Sequence, residues 1–367
     1  MRVTLLGAGH IGQTIARLLA TSGDYELTVL DRDEAALARL GALPLQRAAA
    51  DTADPAVLLR HLRGQQAVVN ALPYHLATVV ATQARAAGCH YFDLTEDVAA
   101  TQAIRRLADG APTAFMPQCG LAPGFIGIVA HHLAQRFEQL HEVKMRVGAL
   151  PAFPTNALKY NLTWSVDGLI NEYCHPCEAI HEGRRIEALP LEGLEHFSLD
   201  GVEYEAFNTS GGLGTLCDTL TGRVQTLDYK SVRYPGHRAL MRVLLDELLL
   251  KQDVDTLKRI LRHSIPSTMQ DVVLVFVTVS GLRDGVLLQE VFARKIFAER
   301  GDGAGAPAQS AIQITTAAGL CAALDLFRKG VLPVRGFIRQ EQVPLPAFLA
   351  NRFGAAYQQS RQVESIG

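Results

Sequence analysis

Three glycines near the N-terminus constrain the fold of this chain more than any other feature. They stand in Gly7-Ala8-Gly9-His10-Ile11-Gly12, directly after the apolar run Arg2 to Leu6 and before a helical pattern from about Ile11 to Thr21. A strand, a glycine turn and a helix in that order make the opening of a βαβ unit that cradles a dinucleotide. Gly7 permits the tight turn, Gly9 lets the backbone approach a pyrophosphate, and Gly12 allows the helix to pack closely on the strand. The free N–H groups where His10 and Ile11 open the helix complete a phosphate site.

The rest of the first ~125 residues repeats this alternation at βαβ spacing. Strand patterns recur at Glu26 to Leu30, Leu45 to Ala50, Ala67 to Ala71, His90 to Leu94 and Thr113 to Met116, with helices starting at Asp33 and Pro55. These strands are continuously apolar rather than alternating, which predicts a parallel sheet covered on both faces. After the helix that Pro123 begins, Glu142 to Leu150 alternates like a half-exposed antiparallel strand. Two long strand patterns, Asp271 to Ser280 and Val286 to Glu299, flank a turn at Arg283-Asp284-Gly285, and helical stretches cover Arg238 to Leu250 and Val254 to Arg262. The expected architecture is α/β: a Rossmann-type parallel sheet over residues 1–125, an inserted α+β domain on an antiparallel sheet over 126–308, and a C-terminal helix and tail over 309–367 returning to the first domain. Gly301 to Ala308 reads as a flexible loop, and Ser310 to Arg328 as an apolar helix.

Composition narrows the function classes. With 35 basic against 37 acidic residues the formal charge is −2, and there is no basic stripe for nucleic acid. No apolar run reaches the ~20 residues that span a bilayer, and no signal-peptide pattern precedes the first strand, so a cytoplasmic protein with a small-molecule partner is expected. Six dispersed cysteines suit reduced thiols. The pair in Cys174-His175-Pro176-Cys177 lacks the second ligand pair of a zinc site and the context of a redox motif, so no metal is expected.

Asp31 ends the second strand about 20 residues past the glycines, where a carboxylate accepts the ribose hydroxyls of NAD and repels a 2′-phosphate. Arg32 leaves NADP open, since it can either stack on adenine or hold that phosphate. Asp51-Thr52 ends the third strand, touching adenine or capping the helix at Pro55. Asn70-Ala71-Leu72-Pro73 ends the fourth, beside the cofactor's expected path. Asp93-Leu94-Thr95-Glu96 ends the fifth, so Asp93, Thr95 and Glu96 are expected toward the nicotinamide end, with a cap-and-turn role the alternative for Asp93 and Thr95. In the second domain three polar segments exceed what packing needs: Tyr160-Asn161 with Trp164-Ser165-x-x-Gly168-Leu169; Thr209-Ser210-Gly211-Gly212; and Asp228-Tyr229-Lys230-x-x-Arg233-Tyr234-x-Gly236-His237.

Taken with the glycine turn and Gly120-Leu121-Ala122-Pro123-Gly124, these segments resemble the saccharopine dehydrogenase-like family over about residues 1–335, and within it the lysine 6-dehydrogenases. The tail, with Leu332-Pro333-x-x-Gly336-Phe337 and the stretch beyond Gln340, departs from the lysine enzymes. The resemblance implies a Rossmann domain with an inserted domain that often mediates dimerisation, hence a homodimer. It also implies NAD-dependent oxidative deamination of the L-lysine side-chain amine to 2-aminoadipate semialdehyde and ammonia. That chemistry needs a base for the ammonium proton, for which Asp93, Glu96 and His237 are candidates. It also needs a guanidinium for the substrate carboxylate, for which Arg233 is suited. Tyr160, Asn161, Thr209 and Ser210 could complete the grip, and Lys230 could be an electrostatic partner or a surface lysine. Cys119 reads as packing. The alternatives are saccharopine reductase or another secondary-amine dehydrogenase, which would need further cations such as Arg184, Arg223 or Arg238, and a non-catalytic NAD(H)-binding sensor. A structural dimerisation partner with a vestigial cofactor site is a third.

Overall fold

The computed structural model describes residues 1–301 and 308–358. Most of the expected loop Gly301–Ala308 and the end of the tail lie outside the described residues. The described chain divides into two compact units, Met1–Ile128 with Gln313–Ala356, and Val129–Ile312 with Tyr357 and Gln358.

The first unit is built on β1 (Arg2–Leu6), β2 (Glu26–Asp31), β3 (Gln46–Ala49), β4 (Ala67–Asn70), β5 (His90–Asp93) and β6 (Ala114–Met116). The second contains β7 (Gln139–Pro151), β8 (Cys177–His181), β9 (Arg184–Ala188), β10 (Glu195–Leu199), β11 (Val202–Asn208), β12 (Val224–Arg233), β13 (Asp271–Arg283) and β14 (Val286–Phe297), and β15 (Gly336–Phe337) returns to the first. The first sheet runs β3-β2-β1-β4-β5-β6-β15, with every pair parallel. Its order reverses between β1 and β4, and ligands of such sheets bind outside the carboxyl ends of the strands at that switch. Val3, Leu5, Val68 and Val69 are fully buried, as strands covered on both faces require.

The second sheet runs β10-β11-β12-β7-β13-β14, with β8 pairing both β12 and β9. It is mixed rather than antiparallel, because β12 pairs with β7 in parallel. The expectation of a half-exposed β7 also needs correction. It is a central strand, buried from Met145 to Pro151. The polar positions that made it alternate include Arg146, which is 2% exposed and ion-paired to Glu195 and Asp228. The expected turn between β13 and β14 is present, with Asp284 and Gly285 both at positive φ (53° and 73°), as a two-residue hairpin of the right twist demands. The helix expected over Arg238–Leu250 is shorter. His237–Arg242 passes into a wider π turn at Val243–Glu247, and Leu249 at φ 55° ends it. Asp253 then caps Val254–Ser264 by accepting from the Thr256 N–H.

Candidate active site

At the switch point of the first sheet each glycine has its own cause. Gly7 lies at φ +96°, and a Cβ there would meet the Ala71 carbonyl oxygen at 3.0 Å. Gly12 packs so tightly that a Cβ would fall 2.0 Å from the Gly7 carbonyl oxygen, whereas Gly9 has open space on its Cβ side. The helix His10–Ala20 starts at Gly9 with no side-chain cap, so its first N–H groups are offered to an anion. His10 is exposed and Ile11 half-buried at that end. Asp31 ties the turn to β2: one carboxylate oxygen accepts the Ala8 N–H at 2.7 Å and the other the Asp33 N–H at 2.9 Å. Each oxygen keeps a second lone pair for a ribose hydroxyl. Arg32 is exposed. These features fit a dinucleotide.

The neighbouring strand ends are arranged by local hydrogen bonds. Asn70 is buried; its carboxamide oxygen accepts the Leu72 N–H at 3.1 Å, which shapes the Ala71-Leu72-Pro73 turn. Asp51 accepts the Ala53 N–H in a turn of its own, while Thr52 is buried. The cap of the helix at Pro55 is Asp54, so a capping role for Asp51 is not what the fold uses.

Asp93 is the hub of the fifth strand end. Its Oδ2 accepts the Tyr91 hydroxyl at 2.6 Å, and its Oδ1 accepts the N–H groups of Thr95 (3.0 Å) and Gln118 (2.9 Å). Burial pushes its carboxyl up to about 6 against those bonds, which favour the ionised form. With both oxygens engaged, Asp93 holds the 94–96 and 117–119 segments in place. Thr95 is buried, its hydroxyl accepting the Asp97 N–H at 3.2 Å. Glu96 differs. Its residue is half-buried, yet its carboxyl lies deep enough among protein atoms that desolvation, helped by Asp97 and Asp93, raises it to about 7. A carboxylate poised there can exchange a proton near neutral pH.

In the second unit strand alternation sorts the polar segment of β12 onto two faces. Tyr229, Ser231 and Arg233 share one face; Asp228 and Lys230 share the other. Lys230 therefore does not join Arg233. It donates to the Gly193 carbonyl at 2.6 Å and to Glu195 at 2.9 Å, within the network that neutralises Arg146. The Thr209-Ser210-Gly211-Gly212 turn is also structural. The hydroxyls of Thr209 and Ser231 bond at 2.8 Å, and Ser210 donates to the Pro176 carbonyl at 2.9 Å. A Cβ on Gly212 would overlap the Tyr229 ring, so the glycine makes room for that ring.

On the Arg233 face the guanidinium is 3% exposed and lies 5.2 Å from the Tyr160 ring centre and 5.8 Å from that of Tyr173. Nη1 donates to the Val232 carbonyl, but Nε has no partner. The Tyr160 hydroxyl, near Thr163 and Trp164, meets hydrogen-bond geometry with neither, and the Thr163 hydroxyl and Asn161 Oδ1 are also unsatisfied. Leaving buried groups in that condition costs about 1–3 kcal/mol each, so a polar partner, water or ligand, is expected there. His237 is fully buried beside them. Its Nδ1 faces the Leu158 carbonyl at 2.9 Å and so carries the proton, leaving Nε2 to accept from the Tyr173 hydroxyl at 3.1 Å. Burial and Arg233 push the ring down to about 3. A neutral imidazole with both nitrogens engaged orients Tyr173 and is a poor base.

Tyr91, Gln118, Glu172 and Tyr173 were not among the sequence candidates. Tyr91 sits two residues before Asp93 on β5, and period-two spacing was the available signal. Gln118 at φ +67° and the helical placement of Glu172-Tyr173 against β12 carried none.

Residues 3–115 match the family model of the saccharopine dehydrogenase NADP binding domain, and residues 120–353 that of the saccharopine dehydrogenase C-terminal domain. The second match extends past residue 335, to residue 353. β15 pairs with β6 there, and Gln340 donates to the Pro117 carbonyl at 2.7 Å. Among solved structures, saccharopine dehydrogenase (L-Glu forming) from Saccharomyces cerevisiae superposes with a TM-score of 0.77 at 16% identity, covering 95% of this chain and 96% of that one. Homospermidine synthase from Legionella pneumophila, in complex with NAD, gives 0.67 at 14% identity, covering 97% and 89%. At such identities the likeness is one of fold. No helix among the described residues is long and apolar enough to cross a membrane.

Proposed function

This chain belongs to the saccharopine dehydrogenase family of NAD(P)-dependent oxidoreductases, and from that premise we propose that it oxidatively deaminates the side-chain amine of L-lysine. The observation that carries the reading is the buried Arg233 guanidinium over the Tyr160 ring, with both its Nε and the Tyr160 hydroxyl unpartnered and free to donate to a carboxylate. A substrate such as saccharopine, with more carboxylates, would call for further cations. Arg184 and Arg223 are exposed, and Arg238 is committed to Leu191 and Glu192.

Bound dinucleotide, held by the backbone of residues 7–12 and by Asp31, supplies the hydride acceptor. Hydride leaves only a carbon bearing a neutral amine, so the ε-ammonium must first lose a proton, and Glu96 is the carboxylate assigned to take it. Once the ε-carbon carries an iminium, water adds there, ammonia departs and the aldehyde remains. Asp93 acts as a positioning residue for the segment bearing Glu96.

NADH formation across L-lysine, saccharopine, ornithine and simple amines, each with NAD and NADP, tests the reading. Turnover of lysine with ammonia release supports it; turnover of saccharopine alone moves the substrate. Because Glu96 must be ionised to act, the rate is expected to rise with pH through about 7. Glu96→Gln should lower kcat by about 10²–10⁴ and remove that limb; an unchanged limb would return the proton to another group. We also propose NAD as the preferred cofactor, on the strength of Asp31, although the family model bears the name of NADP. Asp31→Ala will loosen the turn through Ala8 as well, so the informative quantity is the ratio of NAD to NADP efficiency. That ratio should fall by about tenfold or more; a constant ratio would remove Asp31 as the selector.

A further inference from the structure

We propose that Glu172 and Arg233 form a receptor for the zwitterionic head of a free α-amino acid, Arg233 taking the α-carboxylate and Glu172 the α-ammonium. This rests on the assignment of Arg233 above and narrows it. Glu172 lies on the helix Val166–Cys174 and is 8% exposed. Its neighbour in sequence, Tyr173, stands against the Arg233 guanidinium. The Glu172 carbonyl accepts the Ser210 N–H at 2.9 Å, which fastens this part of the helix to the turn after β11. The carboxylate acts electrostatically on Arg233, Tyr160, Tyr173 and Tyr229, so it belongs to the same buried cluster.

Charge balance in a desolvated cluster selects the ligand. Arg233 and Glu172 sum to zero. A plain carboxylate would leave the cluster with one net negative charge, and a plain amine with one net positive charge. Either carries the penalty of an uncompensated buried ion. An α-amino acid head brings one charge of each sign and keeps the sum at zero. The unpartnered Arg233 Nε and Tyr160 hydroxyl are donors for its carboxylate. As that carboxylate draws on Arg233, the ammonium supplies a cation that balances Glu172. Polyamines, which lack any carboxylate, are disfavoured on the same count.

The test uses ligands with no side-chain amine to oxidise, so it stands whether or not lysine is turned over. Calorimetric titration of the NAD-loaded protein compares L-norleucine with hexanoate, which lacks the α-amine, and pentylamine, which lacks the carboxylate. L-Norleucine should bind about tenfold or more tightly than either. Glu172→Gln should erase its advantage over hexanoate and raise hexanoate affinity, since Arg233 and the lone carboxylate then sum to zero, and Glu172→Asp should keep part of the advantage. Failure of L-norleucine to bind, equal wild-type affinity for L-norleucine and hexanoate, or equal losses in a Glu172→Gln protein that melts at the wild-type temperature would each overturn the proposal. The wild-type comparison decides alone should the variant not fold. Silence of the enzyme toward lysine, with norleucine selectivity intact, would sink the reaction but not the receptor.

Discussion

Replacing Gly12 by alanine is expected to abolish useful cofactor binding, and replacing Gly9 by alanine to do the same by a different route that stability measurements separate. An alanine Cβ at position 12 would lie 2.0 Å from the Gly7 carbonyl oxygen. Backbone cannot swing aside as a side chain can, so the helix must lift off the turn. The forced repacking should cost about 1–3 kcal/mol of stability. It should also spoil the alignment of the helix-end N–H groups, lowering NAD affinity by about 100-fold or more. At Gly9 the space is open, and its φ of −68° suits any residue. Gly9→Ala should therefore change the stability of the cofactor-free protein by no more than about 1 kcal/mol, while placing a methyl group where the pyrophosphate must approach. Calorimetric melting without cofactor and titration with NAD give the four numbers. If Gly12→Ala melts like wild type and binds NAD normally, the close packing at Gly7 is not what organises the phosphate site.

That contrast shows why the first unit was legible from sequence. Glycine spacing and continuous apolar strands are local signals, and each maps onto one backbone requirement: the turn at Gly7, the open approach at Gly9, the contact at Gly12. The second unit was harder because its decisive relations are between distant segments. Asp228 to His237 reads as one polar cluster, but strand alternation divides it. Lys230 goes to the ion network with Arg146 and Glu195, and Arg233 to the tyrosines. Buried charge misled the reading of β7 in the same way, since Arg146 looks solvent-facing until Glu195 and Asp228 are found opposite it. His237 has an ordinary imidazole's chemistry in sequence, and only the fold reveals that burial and Arg233 deprive it of basicity. Thr209 and Ser210 looked like part of the grip on the substrate carboxylate, yet their hydroxyls are spent internally and Gly212 seats the Tyr229 ring.

The separation of Arg233 from Lys230 leads to the sharpest functional expectation. Arg233→Met removes the cation assigned to the substrate carboxylate while keeping most of the side-chain volume. Hydrogen bonds to a charged partner contribute about 1.5–3 kcal/mol, so the KM for the amino-acid substrate should rise by about 10- to 100-fold. The KM for NAD should stay within about twofold, because the dinucleotide features lie in the other unit. The variant loses two cation–π contacts worth about 0.5–2 kcal/mol each and leaves the buried Glu172 carboxylate without its balancing cation, so a lower melting temperature is expected beside the KM change. Lys230→Met makes the opposite KM prediction from a residue three positions away. It takes a donor from Glu195 and Gly193, so stability should drop by about 1–3 kcal/mol, with the substrate KM little changed. Steady-state kinetics beside thermal melts of the two variants separate these roles. Equal rises in both KM values for Arg233→Met would mean general distortion, and a large substrate-KM effect from Lys230→Met would return that lysine to the site.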